Sequence, residues 1–380
     1  MRIIYFSPDY TPHDHRFLSA LAETEHDVFY VHLQRGARQT EDRPVPSNIK
    51  QVLWKGGLAV FHWRNLPRLT LDFRRLTREI KPDLIHAGPI QTCALIATLS
   101  GFRPLLTMSW GFDLMQDAER NAWWRYVTRY TLAHSTFFTS DCETTRRKAI
   151  AYGMNPNRTV VFPWGVDLER FTPDIDHWSP FDNAPWPDRQ GRQGRLNTEH
   201  FTLFCNRSWE PLYGVDVLAR GFVKAMWQRP ELRLMLLGGG SQGNLLRQIL
   251  TDGGVMERVH FGGQVRQAEL PRYYQMADLF VSASHVDGSS VSLMEALACG
   301  LPALVSDIPA NREWVTDGVN GWLFPDGDVY GLAAAILRAY DGRKNLAEIG
   351  HAARAAAEEK ADWKKNFQKL LEAYELALKG

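Results

Sequence analysis

Hydrophobic positions along this chain recur with two alternating periods. Short β-branched and aromatic runs at residues 3–6, 28–31 and 83–86 have the length of buried strands, while residues 16–23 and 69–80 carry the spacing of helices. Such alternation predicts βαβ units and a parallel sheet. The rhythm restarts after residue 200, with strands expected at 201–205, 232–237, 259–261, 279–282 and 303–305 and helices at 215–227 and 290–299. The pattern therefore predicts two doubly wound α/β units. Residues 173–200 carry four prolines, a Gly-Arg-Gln-Gly-Arg segment and little apolar periodicity, so they read as a linker with an exposed loop. Trp363, Phe367, Leu370, Leu371 and Tyr374 share one face of a closing amphipathic helix. The expected division is an N-terminal domain at 1–172, the linker at 173–200, a C-terminal domain at 201–361 and the last helix at 362–380, returning to the first domain.

Length and composition narrow the class. A chain of 380 residues can bury two cores, and 44% hydrophobic with 23% charged residues leaves no room for a dominant disordered tract. Forty-four basic against 43 acidic residues give a charge of +1, which excludes the global positive field of most nucleic-acid binders. Cys93, Cys142, Cys205 and Cys299 form no CxxC pair, arguing against a zinc site or a disulfide framework and for a reducing cytoplasm. The opening apolar run stops at Ser7-Pro8, too short for a signal peptide, and no later run approaches the ~18 residues that span a bilayer. A cytoplasmic protein is expected. Trp123, Trp124, Arg125, Tyr126, Arg129 and Tyr130 open a helix whose aromatic and basic mixture has two readings, core packing or peripheral contact with the inner face of a membrane.

The richest chemistry lies at residues 284–302, reading SHVDGSSVSLMEALACGLP. Ser289 or Ser290 is a good N-cap, residues 291–298 suit a buried helix, and Gly300 with Pro302 stops it. The helix N-terminus then points at Asp287-Gly288. Free amides and the positive end of the helix dipole make such a terminus an anion site, and a diphosphate fits it. Glu295, flanked by apolar residues, would be a costly buried charge without partners and is a candidate acceptor for a ribose diol.

Around this helix the chain resembles the retaining glycosyltransferases of family four, the sucrose-synthase-like and mannosyltransferase-like group with the GT-B fold. The pieces that carry the resemblance occur in family order: Val259 to Val265, Leu270-Pro271-Arg272-Tyr273-Tyr274, Ala277-Asp278, the acidic pair Asp287 and Glu295 with seven residues between them, Asp307-Ile308-Pro309, Arg312-Glu313 and Asn320-Gly321. The resemblance implies two Rossmann-like domains facing a cleft, with the nucleotide sugar held by the C-terminal one. It assigns Glu295 to the ribose and Asp287 to the transferred sugar, although the family usually has glutamate at the latter position. Backbone amides of Gly288, Ser289, Ser290 and Val291 are implied to meet the donor, with Gly238 and Val265 completing that side. Arg207 matches the arginine that grips the diphosphate. The lysine that accompanies it is missing, with Leu212 and Tyr213 in its neighbourhood, and Trp164 stands where asparagine is commoner.

In the N-terminal half, Ser109 and Trp110 replace a histidine that many relatives place before Gly-x-Asp, which leaves Asp113 as the expected polar group beside the acceptor. His13, Asp14, His15 and Arg16 crowd what reads as the first βα loop and are expected to contact acceptor or phosphate in preference to a metal. The catalytic set implied is Asp287, Arg207 and Asp113, with no metal and no cofactor beyond the nucleotide-sugar co-substrate. The acceptor the resemblance implies is a glycan or a lipid-linked molecule. Residues 238–243, GGGSQG, fit a dinucleotide fingerprint, but the following strand ends in glycines and not in the acid an adenosine ribose needs. Asp174-Ile175-Asp176 and Asp326-Gly327-Asp328 match a metal-binding DxD pattern and read as solvated loop acids. Two rival functions keep the same fold, a nucleotide-sugar epimerase and a non-catalytic nucleotide-sugar-binding subunit.

Overall fold

Strands buried on both faces explain why the sequence shows apolar runs and not strict alternation. The computed structural model describes residues 1–35, 41–173 and 200–379. Most of the expected linker, and Asp174-Ile175-Asp176 with it, lies outside the described residues. The chain divides into two compact units, Met1–Pro163 with Lys365–Gly380, and Trp164–Lys364.

In the first unit β1 (Arg2–Pro8), β2 (Asp27–Leu33), β3 (Lys50–Gln51), β4 (Leu84–Ala87), β5 (Leu105–Met108), β6 (Phe137–Ser140) and β7 (Thr159–Val161) form a parallel sheet in the order β3-β2-β1-β4-β5-β6-β7. In the second, β8 (Phe201–Cys205), β9 (Leu232–Leu237), β10 (Val259–Gly263), β11 (Leu279–Ser282), β12 (Ala303–Ser306) and β13 (Gly321–Phe324) follow the order β10-β9-β8-β11-β12-β13. Both orders reverse after their first strand, between β1 and β4 and between β8 and β11. At such a switch point the loops leaving adjacent strands diverge to opposite faces and open a crevice at the carboxyl ends of the strands. Each unit is thus a Rossmann-like fold.

The helices bury their apolar stripes against these sheets. Val215–Met226 seats Leu218 and Phe222, both 0% exposed, on the second sheet together with Leu332 and Ile336 of helix Val329–Asp341. Each such fully buried side chain contributes about 1.5–3 kcal/mol relative to exposure. The final helix, Trp363–Lys379, buries Phe367, Leu370 and Tyr374, and the Tyr374 hydroxyl meets His86 Nδ1 at 2.8 Å. Among the described residues no helix is long and apolar enough to cross a membrane.

One local expectation is corrected. Residues 13–16 are the first turn of a helix, Pro12–Ala22, and not a loop. Thr11 is its N-cap, Pro12 supplies a pre-set φ, and Asp14 closes a capping box with the Thr11 backbone amide at 2.9 Å. The Thr-Pro-x-Asp spacing carried that signal in the sequence.

Candidate active site

Arg207 and Asp287 leave the carboxyl ends of β8 and β11, the two strands that flank the second unit's switch point. The β8 loop is stitched down at several points. The Trp209 indole is buried and donates to the Leu237 carbonyl at 3.2 Å, the Trp209 amide reaches the Gly239 carbonyl at 2.9 Å, and the His285 amide donates to Leu212 at 3.0 Å. Gly238 adopts φ +97°, and a Cβ there would stand 3.4 Å from the Arg207 carbonyl oxygen, so the glycine-rich turn runs directly against the arginine's backbone. Val265 is half-buried beside the second core.

Fixed in this way, the Arg207 side chain is 10% exposed. Its Nη2 donates to Asp287 Oδ2 at 2.7 Å, and Nη1 donates to Ser290 Oγ at 2.8 Å and Ser292 Oγ at 3.0 Å. The guanidinium lies 4.3 Å above the ring of Tyr213. Tyr213 therefore backs the arginine where a second cation was sought. Burial opposes charge on Arg207, but Asp287 and then Tyr213 outweigh it and hold its pKa above the ordinary value. Burial pushes the Asp287 carboxyl up, with Arg207 and the Gly288 amide pulling back. Removing one member of a buried ion pair strands the other at a cost of roughly 3–5 kcal/mol, so the two side chains hold each other in place. Arg207 Nε is buried and makes no hydrogen bond among the described residues.

Ser290 caps helix Val291–Ala298 by accepting from the Leu293 amide, and Ser289 accepts from the Trp314 indole at 3.0 Å. Gly288, Ser289 and Ser290 are buried, and Val291 is half-buried. Glu295 is 2% exposed, and its Oε2 accepts from the Tyr274 hydroxyl at 2.8 Å, which in turn accepts from Asn206 Nδ2 at 2.8 Å. This relay answers the cost of burying Glu295 and ties its helix to the residue next to Arg207. Tyr213, Tyr274, Ser292 and Asn206 were not singled out by their residue types. Only their folded positions bring them to Arg207 and Glu295, although Tyr213 adjoins the vacated lysine position and Tyr274 lies within a family motif. Asp326 and Asp328 have local roles: the former meets His285 Nδ1 at 2.7 Å and the latter caps helix Val329–Asp341.

In the first unit, Asp113 is fully buried. Its Oδ1 accepts from Ser109 Oγ at 2.7 Å and from the amides of Trp110 at 3.1 Å and Leu114 at 2.9 Å, while Oδ2 accepts from the Ile90 amide at 3.1 Å. Burial pushes this carboxyl up to about 6, against the pull of those donors. The geometry makes Asp113, the candidate acceptor-side acid, a clamp on the turn after β5, with both oxygens accepting from groups of the same unit. Trp110 is half-buried and its ring meets His13 edge-on at 5.9 Å. Asp14 is also fully buried, held by Tyr5 and Thr11 and raised by burial to about 6. His15 Nδ1 lies 2.7 Å from the Tyr10 hydroxyl, and Arg16 is half-buried. His13, Ser109, Trp110 and Asp113 thus gather at the carboxyl ends of the first sheet, while Arg207, Asp287, Ser290 and the Glu295 helix gather at those of the second.

Comparison with known proteins adds the family. A model described as Glycosyltransferase Family 4 matches residues 13–170, and one described as Glycosyl transferases group 1 matches residues 199–342. The chain belongs to the family-four, GT-B-fold glycosyltransferases. A GDP-mannose-dependent alpha-(1-6)-phosphatidylinositol monomannoside mannosyltransferase of Mycolicibacterium smegmatis is 24% identical over 94% of this glycosyltransferase and 92% of its own length. A D-inositol 3-phosphate glycosyltransferase of Geodermatophilus obscurus is 31% identical over 60% of this chain and 49% of its own length. Sucrose-phosphate synthase from Thermosynechococcus elongatus superposes with a TM-score of 0.77 at 18% identity, covering 99% of this chain and 98% of that one. HepE of Anabaena, in complex with UDP-glucose, superposes at 0.75 and 19% identity, covering 99% of each chain. At these identities the structures speak for the GT-B fold of this glycosyltransferase.

Proposed function

We propose that this glycosyltransferase moves a hexose-type sugar from a nucleoside diphosphate sugar to a hydroxyl of a glycan or lipid-linked acceptor, with retention at the anomeric carbon and without a metal ion. One observation carries the reading: the nine-tenths-buried Arg207 guanidinium joins Asp287 to the Ser290-capped helix that bears Glu295. A diphosphate at that helix terminus takes Nη1 over from the Ser290 and Ser292 hydroxyls and meets the amides at the start of the first turn, while Nη2 stays on Asp287. A single cation then couples the leaving group to the acid beside the transferred sugar.

In the step itself the bond between the anomeric carbon and the β-phosphate oxygen breaks, and the electron pair leaves with the diphosphate. Arg207 and the helix dipole stabilise that charge. The acceptor hydroxyl bonds to the carbon from the face the phosphate leaves, and its proton passes to the departing phosphate oxygen. Asp287 orients the sugar and offsets positive charge at the ring. Glu295, steadied by Tyr274, holds the ribose. The complexes with UDP-glucose among the neighbours and the mannosyl- and inositol-directed names of the relatives support a nucleotide-sugar donor and a polyhydroxy or lipid-linked acceptor. The four cysteines are buried and form no disulfide, which suits a reducing cytoplasm.

Thermal-shift screening of the purified protein against nucleotide sugars identifies the donor, because a ligand at a hundredfold its Kd stabilises by about 2.7 kcal/mol. Turnover of that donor in excess EDTA, with the product's anomeric configuration read by proton NMR, then tests the chemistry. Retention with activity unaffected by chelation is expected. Inversion, or activity restored only by magnesium or manganese, would contradict the mechanism, and free rearranged sugar nucleotide without any acceptor would favour an epimerase.

A further inference from the structure

Two segments of the first unit meet through one indole. Trp63, in the turn Trp63–Asn65, packs edge-on against Trp123 at 6.0 Å and Trp124 at 5.5 Å, both on helix Ala122–Ala133. Trp123 stacks on Tyr126 at 5.9 Å, and Tyr126 stacks on Tyr130 at 6.2 Å. These rings are not core residues, since Trp123 is 51% and Tyr126 58% exposed. The segment leading to Trp63 adds Leu58, 73% exposed, and Val60, 46% exposed. A ridge of mutually stacked aromatics with aliphatic neighbours left in water marks a surface that meets a partner.

Charge selects the partner. Helix Ala122–Ala133 carries Arg125 and Arg129 and no acid, Arg64 follows Trp63, and the Arg120 guanidinium lies 5.3 Å over the Trp124 ring. The acids nearby are largely engaged: Asp72 is paired with Lys55 and Arg75, and Glu119 with Lys148 and Arg125. A second copy of the chain docking by a two-fold contact would set arginines against arginines. A nucleic acid would satisfy the arginines but leave Leu58 and Val60 without apolar company. The boundary between headgroups and acyl chains of an anionic bilayer takes both, with Trp and Tyr at the depth they favour.

We propose that this aromatic ridge is a docking surface for an anionic lipid bilayer. Trp123, Tyr126, Leu58 and Val60 enter the interface, and Arg64, Arg125 and Arg129 lie among the lipid phosphates. The surface is independent of the sugar-transfer reading, because none of these residues belongs to the Arg207 site.

Cosedimentation of the whole chain with vesicles tests it, using phosphatidylcholine alone and phosphatidylcholine with about one-third phosphatidylglycerol. Binding to the anionic vesicles, reduced by salt and much weaker on phosphatidylcholine, is expected. Arg125→Glu with Arg129→Glu should weaken binding at least about twentyfold, since each basic residue is worth about fivefold near an anionic surface. Trp123→Ser with Tyr126→Ser should abolish the blue shift of tryptophan emission on binding, while circular dichroism and a cooperative thermal transition show that the variant is folded. Four results would overturn the proposal: wild type left in the supernatant, folded variants that sediment like wild type, a wild-type dimer lost in the ring variant, or release of the protein from vesicles by single-stranded RNA at matched charge.

Discussion

At the scale of single residues the site turns on one guanidinium with four neighbours. Arg207 meets Asp287, Ser290 and Ser292 by hydrogen bonds and Tyr213 through its ring face, so its partners can be tested separately. Tyr213→Phe keeps the ring and should leave donor kcat/KM within about threefold. Tyr213→Ala removes a desolvated cation–π contact of about 1–2 kcal/mol and should lower it roughly five- to thirtyfold. Equal effects of the two would mean that the hydroxyl and not the ring face matters. The two acids should fail differently. Glu295 is assigned to a part of the donor that does not react, so Glu295→Gln should weaken nucleoside diphosphate binding with little change in the single-turnover rate at saturating donor, whereas Asp287→Asn, whose Oδ1 can still accept from Arg207, should lower the single-turnover rate by a larger factor than it weakens that binding. Loss of nucleotide affinity in both alike would refute the assignment. Glu295 stood out in the sequence as a costly buried charge, and the family resemblance pointed to Arg207 and Asp287 as candidates. Tyr274 and Tyr213 were not legible, because an aromatic in a helix or turn reads as packing until the fold shows what its hydroxyl or ring face touches.

At the scale of elements, the loops that carry the site are set by backbone positions that admit little else. Gly214 begins helix Val215–Met226 at φ +56°, and a Cβ there would stand 2.1 Å from the Ala283 carbonyl oxygen, next to the β11 loop. Gly101 has φ +80° with open space around it. Gly101→Ala should therefore cost about 1 kcal/mol of unfolding free energy, and Gly214→Ala at least about 3, with loss of donor affinity. Similar costs at both would remove the close contact as the cause. The final helix adds a pH dependence. His86 is fully buried against Tyr374, and burial lowers its pKa to about 3. Folding keeps it neutral where the unfolded chain binds a proton, so its contribution is whole above about pH 6.5 and is lost as pH falls toward 3, by about 1.4 kcal/mol per unit. Asp14 and Asp113, raised to about 6, act with the opposite sign between about pH 4 and 6. Subtraction of a His86→Phe profile isolates the histidine. Urea denaturation of the His86-bearing unit between pH 7 and 4.5 should show the wild type losing more stability than the variant, and parallel profiles would contradict the assignment. Several element boundaries were readable because apolar runs end at turn residues, as at Phe201–Cys205 and Leu279–Ser282. The start of helix Pro12–Ala22 was not legible from periodicity, because its first turn carries polar side chains and is set by the Thr11–Asp14 capping box instead of an apolar stripe.

At the scale of the whole molecule, the two units repeat one strand order, and each reversal marks where its candidate site loops leave the sheet. The doubled βαβ rhythm made this architecture legible, since parallel strands need crossovers and crossovers show as helical period. What the residue pattern could not supply is side-chain convergence across distant segments: Arg207 and Asp287 are 80 positions apart, and Trp63 lies far from Trp123 in the chain. The proposed mechanism seats the donor's diphosphate on Arg207 and the Ser290-capped helix. Calorimetric titration of the donor's nucleoside diphosphate into wild type and into Arg207→Met, with circular dichroism confirming that the variant is folded, tests it most directly. Loss of a charge-assisted contact of about 1.5–3 kcal/mol predicts a Kd raised roughly ten- to hundredfold, and an unchanged Kd in the folded variant would contradict it.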